Sequence, residues 1–518
     1  MAATATHHGE HHPVALPDAT VDVSKVRLLS LAALAVGAAV YFIGGFVGWG
    51  ADPEHGVRDF FMAYLVGFVF WMCVPFGSLL LSFIGYLAQA SWGILFRRIF
   101  QASLRTLPLL ALLGLPVIAG LFVGGGDQSG FWWSHSSWGG VTDEQKKHHF
   151  ADAADARVKA SKDPAAAEGK RDGYKADAER EFKEAVARYE AQGHDKKVAE
   201  VAALQGTPPE AAEESLHKIH DWSNRNGFAL RYFAYFAVIG LFAFILHRQA
   251  RKAEEVADTD AEKYKLQVIS GPGIPVVVIT LTFFVTDWVM SVEPTWASSM
   301  FPVVFGMNMF LTTFAFSTLV FYTLTKVPND TAPLGKRPDL TAIVKDKFRI
   351  DIGSLTLGFC MVWAYASFCQ FMLIWAGNLP EEIPYYLKRG AGAGDSLMNG
   401  TGETKDGFAS GWIYLTYILM AFHWLLPFVV LLFREVKTSP RGMKLMACLF
   451  LFVCACDVTW WILPSVPHPN TWLHVPMAFG AILMVGGIWA VVFAWQLGKK
   501  PILPKNSETK FLAEWGHH

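Results

Sequence analysis

Long apolar runs alternate with short polar connections along most of this chain. Ten runs reach the roughly 20 residues that cross a bilayer as a helix. They lie near 26–49, 60–88, 103–124, 228–247, 271–292, 300–324, 352–377, 412–433, 443–464 and 474–497. The pattern predicts an all-α polytopic membrane protein of about ten transmembrane helices. A polar, His-rich tail fills 1–25, spans one to three fill 26–124, a polar insertion fills 125–227, spans four to ten fill 228–497, and a basic tail fills 498–518.

The connections differ in charge. Arg97, Arg98 and Arg105 fall between spans two and three. Arg248, Arg251, Lys252, Lys263 and Lys265 follow span four, and Lys326, Lys336, Arg337, Lys345, Lys347 and Arg349 follow span six. Arg434, Lys437, Arg441 and Lys444 follow span eight, and Lys499, Lys500, Lys505 and Lys510 lie in the tail. The opposite connections at 293–299 and 465–473 hold no Lys or Arg. Basic loops stay cytoplasmic, so both termini are expected in the cytoplasm and the insertion on the outer face. The N-terminal tail has no signal-peptide pattern. Its His7, His8, His11 and His12 read as a His-rich tail rather than a metal site.

Two polar interruptions of this pattern carry the candidate chemistry. In LTFFVTDWVMSVEPTW, 281–296, Asp287 lies inside an apolar run and Glu293 at its end. A carboxylate at the centre of a membrane helix costs roughly 2.5–3.5 kcal/mol even on mild insertion scales, and such groups usually serve proton or ion movement. Helical spacing puts Thr280, Asp287 and Ser291 on one face. The stretch ACDVTWWILPSVP, 455–467, repeats the theme: Asp457 precedes Pro464 by seven residues, as Asp287 precedes Pro294. With ten spans, the echo suggests two related halves.

Composition agrees with a membrane protein: 17% of residues are charged and 53% hydrophobic, against about 25% charged in soluble proteins. The six cysteines all fall in apolar runs, which argues against a disulfide framework. No C-x-x-C-H haem-attachment motif and no iron–sulfur cysteine spacing occurs, so redox centres, if any, belong to other chains. In the insertion, an aromatic, glycine-rich patch precedes an Ala-rich charged segment. Thr142 and Gln145 have capping-box spacing, Lys170 to Gln192 reads as a helix with Glu179 supporting Lys183, and Pro208–Pro209 starts a further short helix. Few large apolar residues are available there, so the expectation is helical hairpins with a small core.

Span seven carries Tyr365, Ser367 and Gln370 and runs into WAGNLPEEIPYYLKRG, where Pro380 and Pro384 interrupt the helix and Trp375, Tyr385 and Tyr386 read as interfacial anchors. Span eight carries His423 near mid-membrane, on a face with Thr416.

Three stretches resemble the ActF family, integral membrane subunits of bacterial alternative complex III, a quinol:electron-carrier oxidoreductase. They are GSLTLGFCMVWAYASFCQFMLIWAGNLPEEIPYYLKR (353–389), TDWVMSVEPTWASSMF (286–301) and QASWGILFRRIFQASLRTLPLLALLGLP (89–116). The resemblance covers the membrane part; the segment around 142–222 has no counterpart in it. It implies an NrfD-like fold, with spans two to five and six to nine forming two four-helix bundles and spans one and ten flanking them. It also implies no cofactor in this chain. The implied partners are a second NrfD-like subunit, an iron–sulfur protein, multihaem and monohaem c-type cytochromes carrying haem c, small membrane subunits and a terminal oxidase. Membrane lipid is a partner, nucleic acid is not, quinol is the substrate of the complex, and the location is the bacterial inner membrane.

Asp287 and Asp457 are therefore the leading candidates for a proton pathway, since low-dielectric surroundings favour a neutral carboxyl that can take up and release a proton. His423 is a candidate bridge toward the cytoplasm, because imidazole titrates near physiological pH. Glu293, Tyr365, Gln370 and Thr280 are candidate relay or water-binding groups. Each also has a plainer reading, as a polar group satisfying a buried neighbour; Arg231 is expected to snorkel or to pair with a carboxylate. Two alternatives remain at this level: direct quinol binding beside Tyr365 or His423, and a stand-alone secondary transporter built on the two halves.

Overall fold

The computed structural model describes residues 20–51, 56–122, 143–159, 167–205, 225–255, 259–293, 296–331, 337–379, 382–390, 412–465 and 471–503, with isolated positions between 160 and 224, Trp222 among them. The His-rich tail, the glycine-rich patch, the Thr142 cap, Pro208, Pro294 and Pro380 lie outside the described residues.

The protein is an all-α polytopic membrane protein. Its helices are α1 (Ser24–Ala51), α2 (Gly56–Leu87), α3 (Ser91–Leu104), α4 (Leu107–Leu113) and α5 (Leu115–Gly120), then α6 (Asp143–Lys159), α7 (Arg171–Ala191) and α8 (Lys196–Gln205) of the insertion. They continue with α9 (Arg225–Glu255), α10 (Thr259–Trp288), α11 (Phe301–Leu324), α12 (Asp346–Gly377) and α13 (Ile383–Leu387). The last are α14 (Trp412–Val430), α15 (Arg434–Thr438), α16 (Pro440–Ile462) and α17 (Thr471–Leu497). Among the described residues nine helices are long and apolar enough to cross a membrane, or ten if the bent pair Ser91–Leu104 and Leu107–Gly120 is one span.

That bent pair corrects the sequence reading of span three. Arg97 and Arg98 are not in a loop; they are buried on α3. A hydropathy window reads such charges as a boundary, but here they find partners. Arg98 binds Glu254 at 2.8 Å and donates to Gln101 at 2.9 Å, and the Arg97 guanidinium lies 4.9 Å from the Tyr86 ring centre. The chain bends by 43° next to Arg105 and Thr106. Span four likewise runs on through its basic residues to Glu255.

The helices group around α2, the most deeply packed of them. In the first group α2 packs on α3 and α10, and α9 on α10; in the second α11 packs on α12 and α16, with α14 against both α12 and α16. α2 also touches α11 and α16, so it joins the groups. α1 and α17 pack as a flanking pair. Their contact depends on missing side chains: a Cβ on Gly37 would stand 2.4 Å from the Met484 backbone nitrogen, and one on Gly487 2.6 Å from that of Leu34. Small residues that let backbones approach are the usual route to helix association in lipid. The outward faces keep large apolar groups such as Leu29, Phe46 and Leu230 exposed for hydrocarbon.

Local sequence explains several ends. Ser439 Oγ accepts from the Gly442 N–H at 3.2 Å and caps α16. Asn378 takes the left-handed conformation, φ 50°, and stops α12. α10 and α16 each run into a 3-10 turn, Met290–Val292 and Leu463–Ser465. α14 departs from α geometry: Leu419–Leu425 forms a π-helical stretch that carries His423.

In the insertion, α6, α7 and α8 share a small core of Phe150, Ala178, Phe182, Val186 and Ala199. Arg157 ties α6 to Glu181 at 2.7 Å, and Lys183 meets Glu179 at 2.7 Å.

Candidate functional site

The two membrane carboxylates occupy different chemical settings. Asp287 stands one residue before the end of α10 and is 1% exposed. Arg231 of α9 grips it at two points, Nε to Oδ2 at 2.7 Å and Nη2 to Oδ1 at 2.9 Å. The Tyr235 hydroxyl donates to Oδ2 at 2.5 Å, and Trp222, at the end of the insertion, donates through Nε1 to Oδ1 at 2.7 Å. Arg231 also lies over the Trp222 ring, 4.3 Å from its centre. A buried carboxylate with a bidentate guanidinium and two further donors is a fixed, satisfied charge.

Asp457 lies five residues before the end of α16, roughly 6 Å further into its helix than Asp287 at 1.5 Å per residue. Asn308 of α11 donates to Oδ2 at 2.9 Å and Trp363 of α12 donates through Nε1 to the same oxygen at 2.8 Å. His423 of α14 places Nδ1 3.6 Å from that oxygen. No Lys or Arg pairs with Asp457 among the described residues. Three helices thus converge on a carboxylate of a fourth through neutral donors and an imidazole.

His423 is fully buried, and its ring stacks on Trp363 with centres 3.7 Å apart and planes 17° off parallel. Its Nδ1 is buried and makes no hydrogen bond, while Nε2 lies 3.9 Å from Cys454 Sγ. The Cys360 thiol donates to the His423 carbonyl, with Sγ to oxygen 3.1 Å, which fills part of the backbone valence that a π turn leaves open. The ring is therefore held in plane by Trp363, with its unbonded nitrogen directed at a carboxylate just beyond hydrogen-bond length.

The ends of the two groups nearest the carboxylates meet in a third cluster. Lys388 binds Glu293 at 2.8 Å through both carboxylate oxygens. Trp296 stacks on Tyr385 with ring centres 3.7 Å apart, and Arg389 lies 3.5 Å from the centre of the Tyr385 ring. Arg389 donates to the carbonyls of Tyr385 at 2.6 Å, Trp460 at 3.1 Å and Trp461 at 2.8 Å, and to Ser465 Oγ at 3.1 Å. Burial pulls this guanidinium below the ordinary arginine range, opposed by Tyr385 and Glu293. Tyr385 and Tyr386 are thus buried rather than interfacial anchors: the polar seam after α12 folds inward over the ends of α10 and α16. Burial pushes the Tyr385 hydroxyl up to about 12.

The other candidates scatter. Thr280 Oγ1 donates to its own helix, at Val276 O, 2.8 Å away. The Ser291 hydroxyl bonds the Asp287 backbone carbonyl, not its carboxylate. Gln370 is buried and bonds Tyr386, whereas Tyr365 is 67% exposed. Among the described residues Asp287 and Asp457 share no partner; both helices pack on α2. Asn308, Trp363 and Cys454 were not singled out by sequence reasoning. Asn308, alone among apolar residues in FPVVFGMNMF, was the available signal.

No protein-family model matches the chain, and no curated protein matches it significantly. The family reading therefore rests on the three stretches quoted above.

Proposed function

We propose that this chain is a cofactor-free membrane subunit of a quinol-oxidising respiratory complex and carries a proton-transfer site at Asp457 and His423. The observation that supports it best is the 3.6 Å approach of His423 Nδ1 to Asp457 Oδ2 in the packed interior. A proton can pass between these groups after a small ring movement, whereas Asp287 is committed to Arg231. Asp457 and His423 are the carriers in this reading; Asp287, Glu293 and Gln370 hold the outer end together, and neither Tyr365 nor Thr280 is placed to join them. The likeness to the ActF stretches supplies the complex: an iron–sulfur protein and c-type cytochromes would hold the redox centres and a second NrfD-like subunit would complete the membrane part. The alternation of basic connections supports cytoplasmic termini in a bacterial inner membrane.

Purification from native membranes in mild detergent tests the assignment to a complex. The expected result is co-purification with an iron–sulfur subunit and a reduced-minus-oxidised spectrum of c-type haem. A solitary, colourless chain under the gentlest extraction would overturn it. In the purified complex, Asp457→Asn should lower proton translocation while quinol oxidation by the partner subunits continues; unchanged proton stoichiometry would remove the proton reading.

A further inference from the structure

A cavity of about 420 Å³ opens at the other end of the first helix group, away from both carboxylates. Its polar wall holds Arg97, Gln101, Arg105 and His247, and no Asp or Glu lines it. Its apolar wall includes Phe236, Gly240 and Phe244 of α9. Phe244 is 62% exposed toward the lipid side, and a Cβ on Gly240 would meet nothing within 4 Å. The crevice is thus an apolar groove along α9 that ends in cationic groups at the basic end of the bundle.

Two observations point to an anionic occupant. First, positive charge is in excess. Arg105 lies within electrostatic reach of Arg98 and Arg251, with Glu254 opposing them as the one carboxylate among the described residues. Lys500 nearby is drawn below the ordinary lysine range, by burial first and then by Arg98. Second, a donor is unused. Arg105 Nη2 lies 2.7 Å from His247 Nε2; a guanidinium only donates, so Nε2 accepts and, in the neutral ring, Nδ1 carries the hydrogen. That Nδ1 is buried and makes no hydrogen bond.

We propose that this crevice binds an anionic phospholipid, its phosphodiester at Arg97, Arg105 and His247 and an acyl chain along Phe236, Gly240 and Phe244. Basic pockets between membrane helices at headgroup level bind acidic lipids in this way. A soluble anion would use the polar wall alone and leave the groove beside Gly240 unexplained.

The test is native mass spectrometry of the purified full chain, incubated with equal amounts of phosphatidylglycerol and phosphatidylcholine. The expected result is selective retention of phosphatidylglycerol. Arg97→Gln and Arg105→Gln should each weaken it about fivefold, since a basic residue near the surface contributes about 1 kcal/mol. Gly240→Leu, which adds bulk in open space on a lipid-facing helix, should weaken it with the charges intact. Equal retention of both lipids, or retention unchanged in all three variants, overturns the proposal. Displacement of phosphatidylglycerol by millimolar inorganic phosphate, with Gly240→Leu silent, would make this a phosphate site and also overturn it.

Discussion

Arg231 and Asp287 form a two-point ion pair between α9 and α10, 2.7 and 2.9 Å long, with only the arginine partly exposed. Breaking such a pair from one side strands a charge, at a cost of about 3–5 kcal/mol. Arg231→Gln should therefore lower the thermal midpoint in detergent sharply. The double variant with Asp287→Asn should recover much of the loss, because two neutral amides leave no buried charge. A double variant as unstable as the single one would mean that packing, not charge, sets the cost.

His423 is expected to act through its ring nitrogen rather than through its volume. His423→Phe keeps an aromatic ring to stack on Trp363 but removes the nitrogen facing Asp457. Proton translocation by the complex should fall by roughly 10²-fold, the usual weight of a positioned acid or base, with assembly retained. Translocation at the original rate would leave Asp457 without its proposed exchange partner.

Arg389 bolts the segment after α13 to the end of α16 through three hydrogen bonds, to Trp460, Trp461 and Ser465, and makes a fourth to Tyr385 of α13. Arg389→Ala orphans buried carbonyls, and the loss should be on the order of 3 kcal/mol. Arg389→Lys cannot reproduce a planar fork stacked on Tyr385 and should recover only part of it. Comparison of thermal midpoints for the two variants checks this.

Lys500 supplies a pH dependence. Its folded-state pKa lies below the ordinary lysine value because of burial and Arg98. Protonation then opposes folding, fully so below the folded pKa, and the penalty fades as pH rises toward the unfolded value. Lys500→Gln should raise the thermal midpoint slightly at pH 7, and its advantage should vanish near pH 11. A lower midpoint at pH 7 would show that contact with Glu254 outweighs the repulsion.

The span count, the order of elements and the helix of α7 were legible because long apolar runs and the Glu179–Lys183 spacing are local signals. The bend at Arg105 was not. Arg97 and Arg98 look like loop residues until Glu254, some 150 positions away, is folded beside Arg98. The candidate site was half legible. A charge within an apolar run marks Asp287 and Asp457, but nothing in either flank tells that one meets Arg231 and the other Asn308, Trp363 and His423. The paired aspartates read alike in sequence and differ in their partners, which lie on other helices. Tyr385 and Tyr386 misled for the same reason: an aromatic pair beside a span end suits an interface equally well as a buried stack on Trp296.

The π-helical stretch in α14 gives His423 a property that substitutions do not probe. A wide turn holds one residue more than an α turn, so it takes up an extra residue while the helix on either side keeps its facing. Loss of a single residue between Leu419 and Phe422 would let the helix relax to ordinary geometry, keeping the flanking turns nearly in phase but removing the wide turn on which His423 sits. Every side chain around Asp457 would still be present, yet the imidazole would lose the turn that aims it. The aim of this histidine is thus written in chain length as well as in residue identity.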